Sequence, residues 1–224
     1  MSQPDLSSLT VGVLGGTGPQ GRGLAYRWSV AGLPVVLGSR DAGRAGKAAD
    51  ELAERSGSDR VRGADNAGCA AAAGAVLVAV PFDGHAALLE PLRNPLAGKI
   101  VIDCVNALGF DSRGPYALQV PEGSAAQQAE SLLPESRVTA AFHHVSAVLL
   151  DDPAVTSVDA DVLVLGDDRE ATDLVRALAE LVPGVRGIYG GRLRNAAQVE
   201  SLTANLIAVN RRYKGHAGIR ITGL

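Results

Sequence analysis

The segment Gly15-Gly16-Thr17-Gly18-Pro19-Gln20-Gly21 constrains this chain more than any other. It follows directly on an apolar run at 9–14 and opens into GLAYRWSVAG, so a strand feeds a glycine turn and the turn feeds a helix. Inside it lies Gly16-x-Gly18-x-x-Gly21. In that pattern Gly16 permits a tight turn, Gly18 lets the backbone approach a pyrophosphate, and Gly21 lets the helix pack on the strand. The first N–H groups of the helix lack partners within it, and its dipole favours negative charge there. Pro19, in the first turn, gives up only an N–H that would be unpaired anyway. A glycine turn used only to bend the chain would show the same spacing; the strand before it and the helix after it favour a dinucleotide site.

The remainder suits that opening. Short runs rich in Val, Leu and Ile recur near 9–14, 33–38, 60–62, 75–80, 99–103, 137–142, 161–165 and 185–188, with helical stretches between them. This is the alternation of βαβ units, and near-continuous apolar strands are those covered by helices on both faces. The expected fold is α/β, a Rossmann-like, doubly wound, mostly parallel sheet over 1–187. A small helical segment, 188–224, would contribute to a second-ligand site and a dimer contact. Within this frame Asp41 is an expected N-cap for a helix closed by Gly57, and Asp83 a cap for GHAALLEPL. The alanine run 70–73 reads as helix, 107–119 as a surface loop over a site, and 123–132 as helix. Near the C-terminus Leu193, Ala197, Glu200, Ser201, Ala204 and Ala208 share one helical face, whose small residues imply close helix packing.

Composition excludes several classes. Twenty-one basic against 24 acidic residues leave a net charge of −3, which is not that of a general nucleic-acid binder. The longest apolar run, 69–82, contains Gly74 and Pro81 and falls short of the ~20 residues a bilayer span needs, so no membrane association is expected. Residues 1–8 place no basic group before an apolar segment, and a cytoplasmic home is expected. Cys69 and Cys104 stand far apart in apolar settings and read as reduced thiols, so no metal site is expected. Neither G-x-S-x-G nor H-E-x-x-H occurs.

The end of the second strand selects the dinucleotide. An NAD site places Asp or Glu there to accept hydrogen bonds from ribose hydroxyls. Here the strand ends Leu37-Gly38-Ser39-Arg40, with Arg44 one helical turn on. A 2′-phosphate would meet no carboxylate at that place and would find a hydroxyl and two guanidinium groups, whose fork suits phosphate. Two cations in the first turn of a helix oppose its dipole unless an anion sits between. NADP is the expected coenzyme.

Further on, Val80-Pro81-Phe82 lies where the nicotinamide half belongs, beyond the carboxyl end of the fourth strand. Asp103 and Asn106 read as structural ties for the adjoining loop. The sixth strand ends Phe142-His143-His144-Val145-Ser146-Ala147, in which adjacent histidines point to opposite faces, so a paired metal site is not expected while either could serve as acid or base. Arg211, Arg212 and Lys214 concentrate positive charge near the end of an otherwise acidic chain.

Taken in order, VGVLGGTGPQGRGLA, VVLGSR, VLVAVPFDGHA, VIDCVNAL, AAFHHVSA and VESLTANLIAVNRRYKGHAGIRITGL resemble the NADPH-dependent coenzyme F-420 reductases along nearly the whole chain. That resemblance implies hydride transfer between NADP(H) and the 8-hydroxy-5-deazaflavin coenzyme F-420 by a cytoplasmic homodimer acting on small-molecule coenzymes. It implies that Thr17, Gly18, Pro19, Gln20, Ser39, Arg40 and Arg44 hold the NADP phosphates, with Gly16 and Gly21 completing the cofactor-binding turn, and that Val80, Pro81, Val145 and Ala147 flank the nicotinamide. His143, Val145, Ser146 and Ala147 would face the deazaflavin, with a His143 proton stabilising developing charge, and Arg211, Arg212 and Lys214 would receive its acidic tail. An NADPH-dependent flavin or ferric reductase, and a non-catalytic NADPH-binding regulator, are the alternatives.

Overall fold

The computed structural model describes residues 4–224. Strands and helices alternate from the start: β1 (Val11–Leu14), α1 (Pro19–Val30), β2 (Val35–Ser39), α2 (Ala42–Ser56), β3 (Val61–Asp65), α3 (Asn66–Ala72) and β4 (Ala75–Val78). Two short helices follow, α4 (His85–Leu89) and α5 (Arg93–Leu96), then β5 (Ile100–Asp103), β6 (Leu108–Asp111) and β7 (Gly114–Ala117). The chain closes with α6 (Ala125–Leu132), β8 (Arg137–Ala140), α7 (Ala147–Asp151), β9 (Ala160–Gly166), α8 (Arg169–Glu180), β10 (Val185–Gly191) and α9 (Ala196–Tyr213).

Eight strands form one sheet in the order β10-β9-β8-β5-β4-β1-β2-β3, parallel throughout except where β9 runs against β8. The order reverses between β1 and β4, which opens a crevice at the carboxyl ends of those strands. Period-two alternation fills both faces. Val11, Val13, Val35, Leu37, Leu77 and Ile102 pack with Leu24 and Trp28 of α1 and Val175 and Leu178 of α8. Leu14, Val36, Val76, Val78 and Val101 pack on the opposite face with Cys69 and Ala70 of α3, Ala125, Ala126 and Ala129 of α6, and Val199 of α9. The doubly wound architecture expected from the sequence is therefore present.

Local chemistry explains the element ends. Asp41 caps α2 by accepting the Arg44 N–H at 2.8 Å, and Gly57 ends it in the left-handed region at φ +66°. The alanine run is helical within α3, whose last carbonyls are capped from outside: the Lys99 ammonium donates to Ala70, Ala71 and Ala73 at 2.6, 2.7 and 2.6 Å. Three expectations are corrected. Asp83 caps nothing, because residues 82–84 form a 3₁₀ turn and α4 begins only at His85, after Gly84. The segment expected as a bare loop, 107–119, holds the antiparallel hairpin β6–β7, whose turn is closed by the Asp111 carboxylate accepting from Arg113 and Gly114. The expected division after Gly187 falls inside β10, and α9 buries Val199 in the same core cluster as the sheet.

Candidate functional site

The glycine turn sits at the crevice, but its conformational burden differs from the simple pattern. The left-handed residue is Gly15, at φ +82°, where a Cβ would stand 2.3 Å from the Ala79 carbonyl oxygen; Gly16 carries no positive φ. A Cβ on Gly21 would meet the Gly15 oxygen at 2.9 Å and the Gly16 Cα at 3.2 Å, so Gly21 is what lets α1 lie against the turn. On Gly18 the nearest atom would be 3.4 Å away, an ordinary contact. Its missing side chain is required by nothing in the protein itself, as expected where the backbone is left open to a ligand.

A cavity of about 550 Å³ opens there, lined by Gly15, Thr17 and Gly18 of the turn, Ser39, Arg40 and Arg44 at the end of β2, and Val80 and Pro81 after β4. Sequence-predicted phosphate and nicotinamide residues from three separate segments thus share one cleft. Neither the Arg40 nor the Arg44 guanidinium has a protein partner among the described residues, while Asp41, the carboxylate nearest them in sequence, is engaged as the α2 cap. Arg44 and Thr17 also line a second cavity of about 270 Å³, where Lys47 extends the positive wall. Sequence reasoning missed Asn66, whose buried Oδ1 has no partner and whose side chain lines the main cavity. It also missed the apolar wall made by Ala87, Leu88, Pro91 and Leu92. The only sequence signal for Asn66 was a polar residue at the carboxyl end of a strand.

Pro19 and Gln20, expected among the phosphate contacts, do not line the cavity. Gln20 instead donates its side-chain amide to the Phe142 carbonyl at 3.0 Å, tying the start of α1 to the segment that carries His143 to Ala147. Phe142 adopts φ +65°, with its ring edge-on to Trp28 at 5.7 Å. Just beyond, the His143 carbonyl accepts from Asn106 Nδ2 and from Thr203 Oγ1, both at 3.1 Å, and His144 Nε2 bonds the Asp161 carbonyl at 2.7 Å. The neighbouring α7 is held at its C-terminal end by Arg27, a buried arginine that donates to the carbonyls of Leu149, Leu150, Asp152 and Val155. His143 is 4% exposed, and neither ring nitrogen has a partner. Burial, with His144 adding to it, lowers its pKa to about 4, so at neutral pH the ring is uncharged and offers an N–H rather than a positive charge.

A buried polar cluster backs both walls. His85 Nε2 lies 2.7 Å from Asp103 Oδ2 and its Nδ1 2.9 Å from Gln128 Oε1. Burial pulls the His85 pKa down, but the hydrogen bond and charge of Asp103 outweigh it and the net shift is upward. Asp103 also accepts the Val105 N–H at 3.0 Å, which bears out its reading as a tie for the loop bearing Asn106. Glu200 reaches from α9 to accept the first two N–H groups of α6, from Ala125 and Ala126; burial raises its pKa to about 7. Both cysteines are buried, and burial pushes the Cys69 thiol up to about 12. Arg211, Arg212 and Lys214 are exposed at the end of α9.

A parallel sheet with a glycine turn at its topological switch point, and with hydroxyl and guanidinium groups instead of a carboxylate after β2, defines a dinucleotide-binding reductase fold. Comparison with known proteins narrows this. Residues 10–107 match the family model described as NADP oxidoreductase, coenzyme F420-dependent. The chain is 41% identical over 223 residues to the F420-dependent NADP reductase of Methanothermobacter thermautotrophicus, covering 96% of each, and 35% identical to that of Methanocaldococcus jannaschii, covering 96% and 99%. A crystal structure from Arthrobacter sp. FB24, described as an F420-dependent NADP-reductase, superposes with a TM-score of 0.80 at 26% identity over 96% of this chain and all of the other. The chain belongs to the F420-dependent NADP reductase family. It also matches rat metalloreductase STEAP3 at 30% identity, of which it spans 37%.

Proposed function

We propose that this protein is an oxidoreductase that passes hydride between NADP(H) and coenzyme F-420. The observation that carries the reading is the cleft in which Thr17, Gly18, Ser39, Arg40 and Arg44 meet Val80 and Pro81. The donor set fits a phosphorylated dinucleotide: unpaired guanidinium groups and a hydroxyl for the 2′-phosphate, an open glycine backbone at a helix N-terminus for the pyrophosphate, and a rigid apolar wall for the ring. The near full-length relatives carrying both coenzymes in their name favour this reading over the flavin reductase and the regulator.

When both coenzymes are bound, the nicotinamide and the deazaflavin supply a direct two-electron hydride transfer. The protein's own task is to bind, stack and dry the two rings. Arg40 and Arg44 anchor the adenosine end, so the nicotinamide is delivered against Val80 and Pro81. Val145 and Ala147, held by the Gln20, Asn106 and Thr203 bonds to their segment, form the opposing wall. His143, neutral and without a protein partner, donates its N–H toward negative charge developing on the deazaflavin. Arg211, Arg212 and Lys214 draw in the acidic tail. The enzyme acts in the cytoplasm as a homodimer: Phe110, Tyr116, Val209 and Tyr213, exposed at 62, 48, 39 and 77%, lie on the β6–β7 hairpin and α9, which pack together, and give that end of the molecule an apolar surface for a second copy. No helix among the described residues is long and apolar enough to cross a membrane.

The test is optical. Protein, NADPH and F-420 are mixed without oxygen and the deazaflavin absorbance is followed, with flavin and ferric acceptors in parallel. Bleaching of F-420 with NADPH but not NADH supports the reading; turnover with flavin alone, or with no acceptor, refutes it.

A further inference from the structure

The segment after α9, residues 215–224, is fixed by more polar contacts than its packing explains. Only Ala217, Ile219 and Ile221 in it are even half-buried. Ordering such a segment costs backbone entropy at every residue, with little apolar burial to offset it. Yet Asp161, fully buried at the start of β9, is committed to holding it. Its carboxylate accepts from Arg220 at 2.6 Å, from the Ile221 N–H at 2.6 Å, and from Arg186 at 2.7 and 2.6 Å. Its own N–H donates to the Ile219 carbonyl at 2.8 Å. Arg220 further bonds Asp159 at 2.6 Å and the Gly184 carbonyl at 2.8 Å. At the near end, the Ala217 N–H is held by Asn210 of α9.

This strap arrives at the site because β9 runs antiparallel to β8: Ala140, the last residue of β8, pairs with Leu165 near the end of β9, so the start of β9 projects beyond the carboxyl end of β8. Asp161 is the same residue whose carbonyl fixes His144. Just before the near anchorage His216, exposed, brings Nδ1 to 3.4 Å from Ser146 Oγ. His144 is thus tied to the backbone of Asp161, and Ser146 to the strap that the Asp161 carboxylate holds.

We propose that residues 215–224 are a fixed wall of the second coenzyme's site, with His216 a direct contact of that coenzyme's anionic tail and Arg220 the positioning residue that holds the strap on Asp161. The proposal rests on the F-420 reading above. His216 stands two residues beyond Lys214, the left-handed residue that ends α9, and so lies between the exposed cations of that helix end and Ser146.

The experiment measures KM for F-420 and for NADPH separately in the wild type, His216→Ala, Arg220→Ala and Arg220→Lys, with hydrogen exchange of the Ile221 amide as a readout of the strap. His216→Ala is expected to raise the F-420 KM roughly tenfold, the loss of one bond to a charged group, with the NADPH KM and the melting temperature unchanged. Arg220→Ala is expected to speed exchange at Ile221 and to raise the F-420 KM likewise, and Arg220→Lys to restore part of both. If Arg220→Ala fails to fold, His216→Ala decides. An F-420 KM within twofold of wild type in His216→Ala overturns the proposal, as does an unchanged KM in Arg220→Ala with a freely exchanging strap. Those results, obtained on an active wild type, leave the F-420 reading standing; a wild type that binds NADPH and does not reduce F-420 overturns both.

Discussion

Replacing Gly18 and Gly21 by alanine, one at a time, separates a glycine turn that serves the fold from one that serves a ligand. On Gly18 the added methyl would meet only the Gly15 oxygen at 3.4 Å and the Ala79 oxygen at 3.9 Å. Gly18 is the N-cap of α1, at φ −81° and ψ 159°, a conformation alanine can adopt. The poorer cap costs about 0.5–1 kcal/mol, and the stiffer unfolded chain returns about 0.4–1 kcal/mol, so stability stays within about 0.5 kcal/mol of wild type. The methyl would nevertheless project from a residue that lines the cavity. Losing one N–H bond to a phosphate, about 1.5–3 kcal/mol, weakens NADP binding by roughly 10- to 150-fold. On Gly21 the methyl would press on Gly15 oxygen at 2.9 Å, Val13 Cγ1 at 3.1 Å and Gly16 Cα at 3.2 Å, two of them backbone. Overpacking of this kind costs ~2–3 kcal/mol, the gain in helix propensity offsets about 1 kcal/mol, and the melting temperature should fall by roughly 2–8 °C. Thermal denaturation and NADP calorimetry on the two variants check this. Equal loss of melting temperature in both, with NADP affinity unchanged in Gly18→Ala, would refute the division of labour.

Other outcomes follow from particular contacts. Arg40→Ala with Arg44→Ala should raise the NADPH KM at least tenfold and leave NADH kinetics unchanged, since only one of the two coenzymes carries the 2′-phosphate. Arg27→Met should destabilise by about 3 kcal/mol or more, read by urea denaturation, because carbonyls at the end of α7 lose a buried donor. Glu200, raised to about 7, binds its proton more tightly in the folded state, so its contribution is present below about pH 4.5 and lost as pH rises towards 7. His143, lowered to about 4, works oppositely, and its contribution is lost as pH falls from about 6.5. Subtracting the Glu200→Gln stability profile from that of wild type isolates the first; a difference that is flat between pH 4.5 and 7 would count against it. Hydride transfer should show no inflection near pH 6.5 and should slow in His143→Ala, measured by stopped flow. Tyr213→Asp should give a smaller species in sedimentation.

What the sequence disclosed was whatever rests on period and punctuation. Eight strands were legible because buried parallel strands are apolar on both faces, and the Asp41 and Gly57 ends of α2 because capping is local chemistry. The hairpin β6–β7 stayed hidden: Pro115 argues against a strand, and the cue, Asp111 three residues before Gly114, is shared by many open loops. Asp83 misled because a cap and a position in the first turn of a 3₁₀ helix draw on the same residue types. At the site, Thr17, Ser39, Arg40 and Arg44 could be read because a helix start and a strand end bring them together over short spans. The contacts of Gln20, Asp161 and Arg220 could not, since each depends on partners from distant segments, and Asn66 could not, since its place in the cleft is set by the pairing of β3 with β2. The tail was recognised only as charge; that Arg220 is anchored and Lys214 exposed is decided by where β9 begins.

The reversal of β9 also decides how this molecule can be tethered. Arg186 Nη1 reaches the Leu224 carbonyl at 3.3 Å, so a linker spliced after Leu224 departs from the rim where coenzymes enter. The chain leading into β1 lies at the opposite rim. Immobilisation on an electrode or fusion to a coenzyme-recycling enzyme would therefore obstruct traffic if made at one terminus and leave it clear if made at the other.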